Sequence, residues 1–96
     1  MSRRAAKVDA NQSDIMKALR SVDGVSVYSL AGQGDGCPDL LVGSRHQTFL
    51  CEVKDGVKRL TPDQVRFIEK WQGSSVVILR DVETALAWAR RIATVD

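Results

Sequence analysis

The spacing of apolar positions changes several times along the chain, and each change marks an element. In NQSDIMKALRSV, Ile15, Met16, Leu19 and Val22 recur near helical spacing, with Asp9, Asn11 or Ser13 available as a cap and Gly24 as a stop. This predicts a first helix from about Asn11 to Val22. VSVYSL sets Val25, Val27 and Ser29 against Ser26, Tyr28 and Leu30, the alternation of a strand. The glycine-rich AGQGDG then interrupts regular structure. DLLVG, closed by Gly43, and TFLCEVK are short apolar runs separated by SRHQ, which predicts an antiparallel hairpin.

A second helix starts sharply, because Thr61 suits an N-cap, Pro62 the first helical position and Gln64 the return bond of a capping box. Its spacing offers Val65, Ile68 and Trp71 to a core, and Gly73 ends it. SSVVILR carries the unbroken apolar run Val76 to Leu79 and reads as a buried central strand. Asp81 caps a last helix whose packing face is Val82, Ala85, Leu86, Ala89 and Ile92. The order αβββαβα predicts an α/β domain with a mixed sheet of about four strands flanked by helices, its last crossover right-handed.

Length and composition add bounds. With 96 residues, the chain is long enough for one domain and one core. It is 44% apolar and 27% charged, with no tract suited to spanning a bilayer and no apolar segment behind its first basic residues. A cytoplasmic protein is the expectation, with no membrane partner. Cys37 and Cys51 lack the paired spacing of a zinc site and are expected as free thiols.

The net charge of +2 is small, but its distribution is uneven. Arg3, Arg4 and Lys7 make a basic arm within a flexible segment 1–10, and Lys54, Lys58 and Arg59 cluster behind the third strand, followed by Arg66 and Lys70. Such clusters permit nucleic-acid binding; solvation alone is the bland reading.

Charged groups also stand inside the two runs of the hairpin. Pro38 and Asp39 open one; Glu52 and Lys54 lie two apart in the other and so share a face. A hairpin register that brings Asp39 to Glu52 would give two carboxylates and, between Glu52 and Lys54, a main-chain carbonyl at Val53. Those are hard oxygen donors suited to Mg²⁺ or Mn²⁺. Lys54 beside them would orient a water or offset developing negative charge. Taken singly, a Glu and Lys two apart are commonly a solvent-facing pair, and Pro-Asp a turn. His46, the only histidine, falls in a turn.

GCPDLLVG followed by FLCEVKDG resembles the PD-(D/E)XK nuclease superfamily, and RLTPDQVRFIEKW looks like its VRR-Nuc branch, which includes small stand-alone phage and bacterial proteins. The resemblance spans nearly the whole chain, from NQSDIMKALR to ETALAW. It implies a restriction-endonuclease-like fold over 1–96 and hydrolysis of DNA phosphodiesters with Mg²⁺ or Mn²⁺. Asp39 and Glu52 would be metal ligands with the Val53 carbonyl, and Lys54 the catalytic base or charge stabiliser. Gln64 matches a glutamine that supports the family's site, and it equally completes a helix cap. Related nucleases often carry a glutamate on the first helix; here Gln12 stands in its place, a weaker amide ligand, with Asp9 and Asp14 nearby. Asp35 is a further acid in the glycine-rich loop. Arg3, Arg4, Lys7, Lys58 and Arg59 would bind DNA.

Stand-alone members resemble Holliday-junction resolvases, which implies a homodimer acting on branched DNA such as four-way junctions, since two symmetric cuts need two sites related by a dyad. The first helix's face, Trp88 and Tyr28 are the interface candidates. A non-catalytic DNA-binding module that keeps the fold is the alternative, and a structural domain whose acids merely solvate the hairpin is a third.

Overall fold

The computed structural model describes residues 10–94, so Arg3, Arg4, Lys7 and Asp9 lie outside the described residues. Seven elements follow one another: α1 (Gln12–Arg20), β1 (Ser26–Ser29), β2 (Leu40–Ser44), β3 (Gln47–Val53), α2 (Pro62–Lys70), β4 (Val77–Leu79) and α3 (Val82–Ala93). The four strands form one mixed sheet in the order β1-β2-β3-β4, antiparallel from β1 to β3 and parallel between β3 and β4. The chain is thus α/β with a four-stranded mixed sheet and three helices.

The β2–β3 hairpin fixes the register on which everything else depends. Ser44 pairs with Gln47 across a two-residue turn, Arg45 and His46, both at positive φ (51° and 67°). That left-handed pair matches the twist of the strands, though two non-glycine residues adopt it only at a cost. Arg45 is held there by a hydrogen bond from its guanidinium to the Thr94 carbonyl at the end of α3.

One face of the sheet carries the core. Val27, Leu40, Val42, Cys51, Val53 and Leu79 meet Ile15 and Leu19 of α1 and Ala85 and Ala89 of α3. Phe49 adds an edge-to-face contact with Trp88, ring centroids 5.2 Å apart. Of the interface candidates, the apolar face of α1 packs into the chain's own core and Trp88 is partly buried against it, while Tyr28 is 68% exposed on the other face. Asp81 caps α3 by accepting from the Thr84 N–H at 2.7 Å, but Val82 in the first turn is exposed rather than packed.

Burial pushes the Cys51 thiol from its ordinary 9.0 up to about 12. A raised folded-state value means that the folded chain keeps its proton after the unfolded chain has lost it. The resulting stabilisation is complete below pH 9.0 and is lost as pH rises toward about 12. We expect the unfolding free energy to fall through this window with a slope of up to about 1.4 kcal/mol per pH unit, and the urea midpoint with it, and Cys51→Ala to flatten that slope. Parallel denaturation curves at several alkaline pH values check it.

Three elements differ from expectation. The first helix ends at Arg20, two residues before Val22, and Asn11, though it stands at the N-cap, makes no side-chain cap bond; its amide reaches across the fold instead. The apolar run SSVVILR yields only the three-residue β4, at the edge of the sheet among the described residues, not a central strand. Its continuity reflects coverage of both faces in a parallel pair, Leu79 toward the helices and Ile78 beside Glu52, which an edge position also provides. Finally, α2 buries none of its residues: Val65 and Trp71 are exposed and Ile68 only partly covered, so the face expected to enter the core does not. No helix among the described residues is long and apolar enough to cross a membrane.

Candidate active site

Register delivers the two acids to one place. Leu40 faces Cys51, so the next pair is Asp39 with Glu52, both turned away from the α1/α3 core. Side chains opposed in this way stand about 4.5–5.5 Å apart at Cβ. Pro38 would face Val53 in the following pair, but proline has no N–H to give the Val53 carbonyl. The ladder stops here. The Val53 N–H turns to the Asp39 carboxylate, donating to Oδ2 at 2.8 Å, and the Val53 carbonyl points to the same side as that N–H. On its other side Asp39 remains tied to the sheet, its carbonyl accepting from the Leu30 N–H at 2.7 Å.

Glu52 and Lys54 are 2% and 6% exposed, too buried for a solvent-facing pair. With Asp39, Lys58, Arg59, Thr61 and Gln64 they line a cavity of about 200 Å³. The basic cluster behind β3 is therefore beside the acids. Its loop is clamped by Arg80, whose Nη1 donates to the carbonyls of Gly56 and Lys58 at 2.8 and 2.7 Å. Asn11 ties the same corner together, its Nδ2 donating to the carbonyls of Lys54 (3.3 Å) and Arg80 (3.0 Å).

Gln64 performs both of the jobs expected of it. Its Oε1 accepts from the Thr61 N–H at 2.8 Å, completing the capping box with Thr61 Oγ1, and its Nε2 donates to Glu52 Oε2 at 2.9 Å. One amide thus locks the start of α2 to the carboxylate of β3. Gln64→Ala should cost on the order of 1 kcal/mol through the cap. Gln64→Glu should keep the cap but oppose Glu52 with a like charge, lowering the urea midpoint at neutral pH and recovering part of it on acidification, when one of the two carboxylates takes up a proton.

Gln12 is buried at the start of α1, and its Oε1 has no hydrogen-bond partner among the described residues. Asp14 is exposed on the first turn of α1. Asp35, at φ 55°, is exposed and borders a different cavity, against α2. His46 sits in the exposed hairpin turn. Cys37 lies close enough to both acids to feel them: burial first, then the charges of Glu52 and Asp39, push its thiol above the ordinary value.

The sequence did not single out Gly36, although it builds the site. Its φ is +76°, and an added Cβ would collide with the Asp63 carbonyl and stand 2.9 Å from the Gln64 nitrogen. Only glycine lets this loop close on the first turn of α2. Alternate glycines in AGQGDG were the available signal.

A divalent cation fits the donor set. Two carboxylates and a strand carbonyl with no ladder donor from Pro38 are all oxygens, and a carboxylate has about four lone-pair sites, enough to accept a hydrogen bond and a metal together. Among the described residues no three His, Cys, Asp or Glu side chains converge, so water would complete the coordination. No protein-family model, curated protein or solved structure matches the chain.

Proposed function

We propose that this protein is a divalent-cation-dependent nuclease of the PD-(D/E)XK type, VRR-Nuc branch, hydrolysing phosphodiester bonds in DNA. The observation that carries the reading is Asp39 opposite Glu52 on one face, at the point where Pro38 ends the ladder, in a cavity that also holds Lys54. Nothing in packing alone calls for two acids and a lysine at the buried end of a hairpin.

Asp39, Glu52 and the Val53 carbonyl would hold Mg²⁺ or Mn²⁺, with Gln12 as a further oxygen; the ion supplies charge neutralisation at the phosphate and a more acidic water. Lys58 and Arg59, exposed at the rim, bind the phosphate backbone. Lys54 places a fixed positive charge in a site shielded from bulk water, where it orients the attacking water and offsets charge in the transition state. Gln64 holds the Glu52 carboxylate in one orientation.

A branched substrate and a two-fold pair of copies belong to the same proposal. The deciding experiment incubates the full chain with a synthetic four-way junction and with linear duplex, with Mg²⁺, Mn²⁺ or chelator. Cleavage that needs the metal, prefers the junction and vanishes in Lys54→Ala while binding persists is the expected result. Salt-sensitive binding with no cut in any divalent metal would replace the nuclease with a DNA-binding module.

A further inference from the structure

Building on the nuclease reading, we propose that the exposed face of α2 is a stacking site for an unpaired base of the DNA strand entering the cavity, with Phe67 and Trp71 as its aromatic surface.

The helix buries no residue, yet it carries an ordered aromatic pair: Phe67 and Trp71 stack with centroids 5.4 Å apart and planes 18° from parallel. Trp71 is 43% exposed. Its ring is nonetheless placed, since a Cβ on Gly73 would come within 2.7 Å of the indole Nε1, so only glycine there admits it.

Around the pair is a cavity of about 320 Å³ lined by Asp35, Asp63, Arg66, Phe67, Lys70 and Trp71. This is a nucleotide's chemistry. Aromatic faces take a base of any identity, cations take the phosphates, and carboxylates accept from exocyclic amino groups. Asp63 pairs with Arg66 at the exposed rim. A protein partner is favoured less, because acids and lysine are depleted at the centre of such interfaces, and here they are half of the lining.

Position connects this surface to the chemistry. The first turn of α2 reaches Glu52 through Gln64, and Trp71 follows seven residues later, about 10 Å along the helix axis. A second cleft, lined among others by Gly34, Gly36, Asp39, Asp63 and Gln64, shares Asp63 with the aromatic cavity and Asp39 with the acidic one. A strand with a phosphate at Glu52 would therefore run past the aromatic pair. An unpaired base can stack there; a paired one cannot. This supplies a reason for preferring DNA whose branch point or end offers an unpaired base.

The test uses the full chain carrying Lys54→Ala, so that DNA stays intact, and fluorescence anisotropy with a duplex bearing a thymine overhang and the same duplex blunt. Trp71→Ala should weaken overhang binding about 5- to 150-fold and leave blunt binding unchanged, while Trp71→Phe keeps most of the affinity. Lys70→Glu, on the exposed side of the helix, should also weaken the overhang more than the blunt duplex, which keeps the question answerable if Trp71→Ala does not fold. Equal effects on the two duplexes, or none, overturn the proposal. So does a halving of the solution mass by Trp71→Ala, which would make this face a contact between two copies. Overhang-selective binding in a wild-type chain that never cuts DNA would sustain the stacking site and sink the nuclease reading.

Discussion

If the proposed site holds Mn²⁺, the wild type should rise in thermal midpoint with the ion and cut DNA, and Glu52→Gln is expected to abolish that rise and to reduce cleavage at least about a hundredfold. The exchange is chosen because so little else changes. Glutamine has nearly the same shape at a position 2% exposed, and its carbonyl oxygen can still accept from the Gln64 amide. What disappears is the anionic oxygen that a hard cation requires. If the ion binds the folded chain alone, it stabilises by RT ln(1 + [L]/Kd), about 2.7 kcal/mol at a hundredfold excess over Kd. Thermal unfolding with and without Mn²⁺, beside a cleavage assay, reads both effects. A variant that cuts at the wild-type rate, or whose midpoint still climbs with Mn²⁺, would show that Glu52 holds no metal.

The hairpin explains how much of this arrangement the sequence could reveal. Two short apolar runs around SRHQ announce a hairpin but leave its register open; once the structure sets Ser44 opposite Gln47, antiparallel pairing carries Asp39 to Glu52 without further information. The cap of α2 was legible for the same reason: Thr61, Pro62 and Gln64 act within one turn. The errors arose where a local pattern has two tertiary solutions. Val65, Ile68 and Trp71 at helical spacing describe a helix on a core, and equally one whose aromatic residue stacks on its own Phe67. Val76 to Leu79 reads alike as a central strand or as a covered edge strand. Asn11 resembled a cap, but its amide bonds to carbonyls 43 and 69 residues away, and no spacing rule contains those distances.

Gly36 is the sharpest case, and it carries the second large effect. Gly34 and Gly36 both sit at positive φ, +74° and +76°, so alanine at either must adopt a left-handed conformation that costs about 1 kcal/mol. They differ in surroundings. A Cβ on residue 34 meets nothing within 4 Å, whereas one on residue 36 runs into the backbone of Asp63 and Gln64. Backbone cannot rotate out of the way, so Gly36→Ala must push the loop and the start of α2 apart and add about 1–3 kcal/mol of strain. The displaced part includes the Gln64 amide that holds Glu52, so activity and Mn²⁺ affinity should fall along with stability. Gly34→Ala should lose only the backbone increment and keep its activity. Urea curves on the two variants, with Mn²⁺ titrations of each, separate the conformational cost from the collision. Equal losses at the two positions would mean that the loop and α2 do not rest on one another in solution, and that the orientation of Glu52 is set without them.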